Sequence, residues 1–143
     1  MAIPGIPAQL RLQIVSADRS LVNELVDEVQ LPGGDGYLGA LPGHTPLLTT
    51  LSVGQMWYRQ GAEYHYLAIA EGFAEVQPDR VTILAQIAEK SDEIDLARAE
   101  AAKKRAEDRL ATPVAEIDFE RARLALLKSV ARLQVASRAR IRS

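Results

Sequence analysis

The positions of glycine and proline constrain this sequence most. All 9 glycines, and every one of the 7 prolines except Pro113, precede Glu89. The residues that follow are rich in Ala, Arg, Glu and Leu, which are good helix formers, whereas Gly and Pro favour turns between short strands. The sequence therefore predicts a strand-rich domain over residues 1–88 and a helical domain over residues 89–143.

The first domain has the pattern of an antiparallel β-sandwich. Leu10–Val15 alternates apolar and polar residues as a half-buried strand does, and Leu25–Leu31 forms a second extended segment. Further short strands are predicted at Tyr37–Leu41, Leu47–Leu51, Gly54–Arg59, Tyr64–Ala70, Phe73–Val76 and Val81–Ile87. Turn residues separate these strands and no helix-length pattern interrupts them, which argues against βαβ nucleotide-binding folds.

The second domain is predicted to be an antiparallel hairpin of two helices with a break at Ala111–Val114. Ser91 or Asp92 is expected to cap the alanine-rich first helix. The second helix carries an apolar stripe, which consists of Phe119, Ala122, Leu126, Leu127, Val130 and Leu133. Alanine buries little area, and at about 25 cal/mol per Å² such a contact is weak. We therefore expect a hairpin that can open.

Charge is concentrated in the helical domain. Residues 1–88 contain four arginines against nine carboxylates, whereas residues 89–143 contain 13 basic and 10 acidic residues. In an antiparallel hairpin, Arg98 is expected to lie near Lys128 and Arg132. Such crowding of like charges is unfavourable unless Asp95, Glu100 or a bound anion neutralises it.

The sequence offers no residues for catalysis or metal binding. Cysteine is absent, and His44 and His65 lack the spacing of paired metal ligands. Gly33–Gly36 lacks the Lys-Ser/Thr pair of a phosphate-binding loop and is interpreted as a tight turn. His44 is interpreted as a packing or interface residue in a loop, with ring nitrogens that contact backbone.

A cytoplasmic location is expected from the apolar runs and the first residues. The apolar runs are far shorter than the roughly 20 residues that span a bilayer. The first residues also lack a charged leader followed by an apolar segment.

Four stretches of the sequence together have a recognisable pattern. Leu38–Leu48 contains Leu-Gly-x-x-Pro-Gly-His-x-Pro-Leu, Glu71–Pro78 and Val81–Ala85 lie in the last predicted strands, and Ile94–Ala99 is repeated in part at Ile117–Ala122. These stretches resemble the epsilon subunit of the F-type ATP synthase: the first is similar to its signature, the next two look like its last sandwich strands, and Ile94–Ala99 is similar to the nucleotide-binding phrase of some bacterial members. The resemblance runs in order from residue 10 to residue 133.

This resemblance implies a non-catalytic subunit of a rotary motor that requires no cofactor. It would be a peripheral protein at the cytoplasmic face of the bacterial inner membrane, without membrane insertion and without nucleic acid. Its sandwich would contact the gamma subunit and the c-ring through Asp35, Tyr37, Pro42 and His44. Tyr37 stands where many relatives carry Glu.

The resemblance also implies that the hairpin inhibits ATP hydrolysis when it extends towards the alpha and beta subunits. A basic face would make that contact, consisting of Arg121, Arg123, Lys128 and Arg132. Residues Ile94 to Arg140 as one helical arm would span roughly 70 Å at 1.5 Å per residue.

ATP is the regulatory ligand that the resemblance implies, and it would hold the hairpin folded. The expected contacts are Glu89, Ile94, Asp95, Arg98, Ala99, Arg105, Lys128 and Arg132. Lys128 stands where well-matched members carry Arg, and an ammonium group cannot offer phosphate a planar fork. We therefore expect weaker binding than in those members.

An alternative hypothesis is a free-standing adaptor whose basic hairpin binds nucleic acid or another acidic partner. The acidic first half and the many carboxylates of the hairpin argue against nucleic acid. Copurification with gamma would favour the motor, and a salt-sensitive gel shift would favour the adaptor.

Overall fold

The computed structural model describes residues 5–111 and 116–142, with backbone alone for residues 116–118 and 139–142. Eight strands precede two helices. The strands are β1 Leu10–Val15, β2 Ser20–Val26, β3 Glu28–Gly33, β4 Gly36–Ala40, β5 Leu47–Leu51, β6 Gly54–Gln60, β7 Glu63–Val76 and β8 Arg80–Lys90. A 3₁₀ turn, Ser91–Glu93, leads to helices α1 Leu96–Ala111 and α2 Glu116–Arg142. The predicted sandwich followed by a helical hairpin is confirmed.

The strands form one sheet that folds over into a sandwich. Its order is β2-β1-β8-β7-β5-β3-β4, with β6 paired to β3 and β7. Among the described strands, only β1 and β8 pair in parallel. The core lies between the two layers, and its buried residues, from Leu10 to Ala88, all come from strands. The sandwich therefore has a hydrophobic core of its own.

Side-chain alternation changes in the middle of β7. Leu67 and Ile69 lie in the core before this point, whereas Ala74 and Val76 lie in the core after it. Because a strand alternates with a period of two, an odd step must separate these pairs. The change falls at Glu71 and Gly72, which both have positive φ, 56° and 148°.

Two strand boundaries differ from the predicted ones. The predicted segment Leu25–Leu31 is the end of β2 and the start of β3, and Asp27 separates them. The predicted strands Tyr64–Ala70 and Phe73–Val76 are one strand, β7, because the Gly72 conformation bends the chain without ending its pairing to β8.

The start of α1 also differs from the prediction. Ile94 is extended, with φ −76° and ψ 124°, and it ends the turn begun at Ser91. Asp95 then caps α1, since its Oδ1 accepts a hydrogen bond from the Arg98 N–H at 3.1 Å. The cap is therefore Asp95 and neither Ser91 nor Asp92.

The buried face of α2 consists of small residues. Ala122, Ser129, Ala131, Val135 and Ala136 are its buried positions among the described side chains. Within the predicted stripe, Leu126, Val130 and Leu133 are half-buried, and Phe119 and Leu127 are exposed. Small side chains let α2 approach both α1 and the sheet, which explains why the larger residues lie at the edge of the contact.

Three predictions fall outside the described residues. They are the helix break at positions 112–114, the side chains of Ile117 and Asp118 in the repeated phrase, and the side chain of Arg140 at the end of the predicted arm. Neither described helix is long and apolar enough to cross a membrane.

Candidate functional site

A cavity of about 240 Å³ lies between the hairpin and the sandwich. Its walls are largely apolar, and small side chains leave the space open. The sandwich contributes Val53, from the turn between β5 and β6, and the strand residues Ala68, Ile69, Ala70 and Ile87, and the helices contribute Ala102, Ala125 and Ala131. Glu89, Lys128, Ser129 and Arg132 are its polar lining residues. Three residues of the predicted nucleotide site, Glu89, Lys128 and Arg132, therefore meet at this cavity.

Arg132 of α2 contacts Glu89 of β8 at two points. Arg132 Nε lies 2.8 Å from Glu89 Oε1, and Arg132 Nη2 donates a hydrogen bond to Glu89 Oε2 at 3.3 Å. The side chains are only 23% and 25% exposed. The Nη2 contact is a charge-assisted hydrogen bond, which is stronger than a neutral one, whereas the Nε contact has the distance of an ion pair without the geometry of a hydrogen bond.

Lys128, one turn earlier on α2, contacts the carboxylate at the bend of β7. Its Nζ lies 3.6 Å from Glu71 Oε1. Glu71 is the one non-glycine residue with positive φ in the described part of the chain. Such a conformation is uncommon for a residue with a side chain.

Near its C-terminal end, α2 contacts an aromatic ring of the sheet. The Arg138 guanidinium carbon lies 4.9 Å from the centre of the Tyr66 ring, a distance that permits a cation–π interaction. Tyr66 belongs to a ladder in which its ring stacks at 6.5 Å on Tyr64, and Tyr64 meets Trp57 edge to face at 5.0 Å.

We call these three contacts the docking contacts: Lys128–Glu71, Arg132–Glu89 and Arg138–Tyr66. Glu89 is the register partner of Ala68 on β7. Residues 128, 132 and 138 of α2 therefore lie beside positions 71, 68 and 66 of β7, so the two elements run in opposite directions. The ten residues of helix from 128 to 138 span about 15 Å, and the five residues of strand from 71 to 66 span about 17 Å. Helix α2 thus lies antiparallel along β7 with matched spacing.

The rest of the predicted nucleotide site lies along α1. Arg98 is 84% exposed, and its Nε lies 3.6 Å from Asp95 Oδ2. Ala99 is buried, Ile94 is half-buried and Arg105 is exposed. Asp95 was predicted as a counterion of Arg98. The sequence did not predict Glu71 and Glu89 as the counterions of Lys128 and Arg132. Nothing in the local sequence marks the pairings Lys128–Glu71 and Arg138–Tyr66, because the partners are distant in sequence.

The predicted inhibitory basic face is divided in the docked hairpin. Arg121 and Arg123 are exposed, and Arg123 Nη1 lies 3.9 Å from Glu120 Oε2. Lys128 and Arg132 instead face the sandwich through the docking contacts.

The predicted interface residues lie at two ends of β4. Asp35 and Tyr37 are exposed at its start, and Tyr37 lines a second cavity with Arg138. Pro42 and His44 follow its end, where His44 Nδ1 lies 2.6 Å from the Thr45 carbonyl oxygen. The ring contacts backbone, as expected for a loop histidine. Strand β4 separates the two pairs by roughly 15 Å at 3.3 Å per residue.

A row of exposed apolar side chains crosses the outer surface of the sandwich. Phe73 and Leu84 are register partners on β7 and β8 and are 55% and 54% exposed. Leu48 of β5 is 71% exposed, and it lies on the same face because it is two residues from Thr50, the register partner of Phe73. We call Leu48, Phe73 and Leu84 the apolar face. Exposed apolar surface of this kind is a candidate interaction site.

Two family models match the chain in sequence order. The family described as ATP synthase, Delta/Epsilon chain, beta-sandwich domain matches residues 9–91. The family described as ATP synthase, Delta/Epsilon chain, long alpha-helix domain matches residues 92–137. The two matches meet at the 3₁₀ turn between the sandwich and the hairpin.

Curated relatives resemble the chain over most of its length. The ATP synthase epsilon chain of Koribacter versatilis is 56% identical over 100 residues, which are 70% of this chain and 70% of that protein. The ATP synthase epsilon chain of Syntrophobacter fumaroxidans is 47% identical over 130 residues, which are 91% of this chain and 97% of that protein.

Solved structures resemble the fold of both domains. A chain in the cryo-EM structure of Euglena gracilis mitochondrial ATP synthase, OSCP/F1/c-ring in rotational state 1, has a TM-score of 0.81 and 26% identity, and the match covers 94% of this chain and 85% of that one. A chain from the central stalk/c-ring of Tetrahymena thermophila mitochondrial ATP synthase shares the fold alone, with a TM-score of 0.56 and 12% identity.

The two family models and the curated relatives together show that this protein belongs to the epsilon chains of the F-type ATP synthase.

Proposed function

We propose that this chain is a central-stalk subunit that couples proton-driven rotation to ATP synthesis, and that its hairpin is a movable inhibitor of ATP hydrolysis. One observation carries the proposal. The core of the sandwich comes from strands alone, whereas α2 meets the sandwich through small residues and charged groups. A domain with a core of its own can keep its fold when an appended element leaves it.

The apolar face and the loop between β4 and β5, positions 41–46, fit the gamma subunit as partner. Leu41, at the start of that loop, is an exposed apolar residue and is followed by Pro42 and His44. We assign these groups to gamma. The Asp35–Tyr37 end of β4 is then the end assigned to the c-ring.

Inhibition requires α2 to leave the sandwich. On undocking, Lys128 and Arg132 lose Glu71 and Glu89 and join the exposed Arg121 and Arg123. The released helix then presents four cations to an acidic partner, which we assign to the catalytic head of alpha and beta subunits. Electrostatic complementarity of this kind favours fast and selective association.

Copurification tests the stalk proposal. We expect the tagged full-length chain to capture gamma from a mixture of the separated motor subunits at physiological ionic strength. Failure to capture gamma, together with a salt-sensitive shift of DNA or RNA, would contradict the stalk proposal and favour the adaptor.

We further propose ATP as a ligand that stabilises the folded hairpin. Support comes from the meeting of Glu89, Lys128 and Arg132 at one cavity and from the exposed Arg98 at the start of α1. Phosphate contacts to Lys128 and Arg132 would have to replace their present carboxylate partners, which favours weak binding.

Calorimetric titration of ATP into the isolated chain tests this site. Arg98→Ala should reduce the affinity, whereas Arg109→Ala, which removes an exposed arginine in the last turn of α1, should leave it unchanged. No heat at millimolar ATP would contradict the ATP proposal.

A further inference from the structure

The docking contacts have a feature that the proposed function does not require. Both cations of α2 at the apolar cavity already have a protein carboxylate as partner. Lys128 and Glu71 are 29% and 38% exposed, and Arg132 and Glu89 are less exposed still. Removing one partner of a partly buried ion pair leaves a charge without compensation, which is more unfavourable than losing an exposed pair.

The two carboxylates are held in place by the sandwich and not by the hairpin. Glu89 lies on β8 opposite Ala68, and Glu71 lies at the bend of β7 with φ 56°. Backbone strain in a non-glycine residue persists where the surrounding structure fixes it, and it often accompanies a functional contact. The sandwich therefore presents two preorganised anions to Lys128 and Arg132, which are one turn apart on α2.

We infer that Glu71 and Glu89 are internal counterions that keep the hairpin docked on the sandwich in the absence of any nucleotide. Docking then depends on charge within the chain, and salt screens the more exposed pair, Lys128–Glu71, more than it screens Arg132–Glu89. This inference deepens the proposed function, since it rests on the hairpin being the movable element.

The test uses the nucleotide-free full-length chain and two readouts. The single tryptophan, Trp57, lines a cavity with Gln134, Ser137 and Arg138 of α2, so its emission reports whether the end of α2 is docked. Small-angle scattering reports overall extension, since an undocked α2 of 27 residues is about 40 Å long.

The variant is Glu71→Gln combined with Glu89→Gln, which keeps side-chain volume and removes both anions. Its matched control is Glu75→Gln, since Glu75 lies on the same strand but accepts a hydrogen bond from Gln77 instead of contacting α2. We expect the wild type and the control to be compact at physiological ionic strength. The double variant should show a red shift of Trp57 emission, a larger maximum dimension and at least a tenfold higher undocked fraction.

A charge exchange guards against a general folding defect. Glu89→Arg with Arg132→Glu restores an ion pair at the same place, and it should recover docking that Glu89→Arg alone loses. A double Gln variant as compact as the wild type, with unchanged Trp57 emission, would overturn the inference. So would a charge exchange that fails to recover docking in a chain whose sandwich is folded by circular dichroism.

No nucleotide and no other subunit enters this experiment, so its outcome is separate from that of the proposed function. If docking responds as expected while removal of the hairpin leaves ATP hydrolysis unchanged, the counterion role stands and the inhibitory role is wrong. If docking does not respond while hydrolysis rises on removal, the inhibitory role stands and the counterion role is wrong.

Discussion

Arg132 and Glu89, which are 43 residues apart in the sequence, join the helical domain to the sandwich by a two-point contact. The resemblance to nucleotide-binding epsilon chains predicted both as ligand contacts. In the folded chain each is the other's partner. The Arg132 guanidinium, which was expected to bind a phosphate, therefore contacts the Glu89 carboxylate when α2 is docked.

The apolar face should determine the affinity for gamma. Phe73→Glu places a charge at its centre, and we expect at least a tenfold weaker capture of gamma, because a buried unpaired charge is strongly unfavourable at an interface. Surface plasmon resonance with immobilised gamma measures this. Phe119→Glu, the same change at an exposed phenylalanine of α2, is the matched control and should bind as the wild type does. Equal affinity of the Phe73 variant would rule out this face as the gamma site.

Gly72→Ala should destabilise the sandwich by about 3 kcal/mol or more, which chemical denaturation measures. A β-carbon at position 72 would collide with the backbone oxygen of Leu84 and lie 2.8 Å from Ala85 Cα. Gly39→Ala is the control, because a β-carbon there meets no atom within 4 Å, and its effect should stay within about 0.5 kcal/mol. Similar stabilities for the two variants would contradict the bend described for β7.

Asp95→Ala should loosen the first turn of α1. Loss of an N-cap side chain destabilises a helix by about 1 kcal/mol, so the amide hydrogens of Arg98 and Ala99 should exchange several-fold faster. Hydrogen exchange with residue resolution measures this, and Asp92→Ala serves as control because Asp92 precedes the helix start. Unchanged protection in the Asp95 variant would show that α1 begins elsewhere.

Asp27 should contribute stability that is lost in acid. The hydrogen bond from the Gly61 N–H, at 2.6 Å, and the one from Gln9 lower the pKa of Asp27 below its usual value of 3.8, and Arg59 acts in the same direction. A lowered folded-state pKa stabilises the fold above the unfolded-state pKa, and this contribution disappears as pH falls through the folded-state pKa.

Asp27→Asn should therefore be less stable than the wild type at pH 7, and the difference should shrink as the pH falls below about 4. Urea denaturation across this range measures both effects. A difference that stays constant with pH would mean that the carboxylate charge does not stabilise the fold.

The sequence predicted the architecture because its signals are local. Glycine and proline mark the turns of the sandwich, and alanine, glutamate and leucine mark the helices. What could not be predicted depends on distant partners. Glu71 lies in a predicted gap between strands, and its contact with Lys128 follows from the bend at Gly72 and from the course of α2 along β7.

The candidate site was predicted only in part for the same reason. The spacing of Lys128 and Arg132 placed them on one face of a helix, but periodicity does not say which surface that face meets. The large apolar residues of α2 predicted its packing face, whereas the structure buries its small residues. Close approach of backbones selects small side chains, and composition alone does not reveal that approach.

The rate of ATP hydrolysis by the assembled motor tests the central claim most directly. The complex containing the full-length chain is compared with one whose chain ends at Lys90, the last residue of β8, so that the strand core is retained. We predict equal content of gamma and the shortened chain, and a several-fold higher hydrolysis rate without the hairpin. An unchanged rate in a fully assembled complex would contradict the claim that the hairpin is an inhibitor.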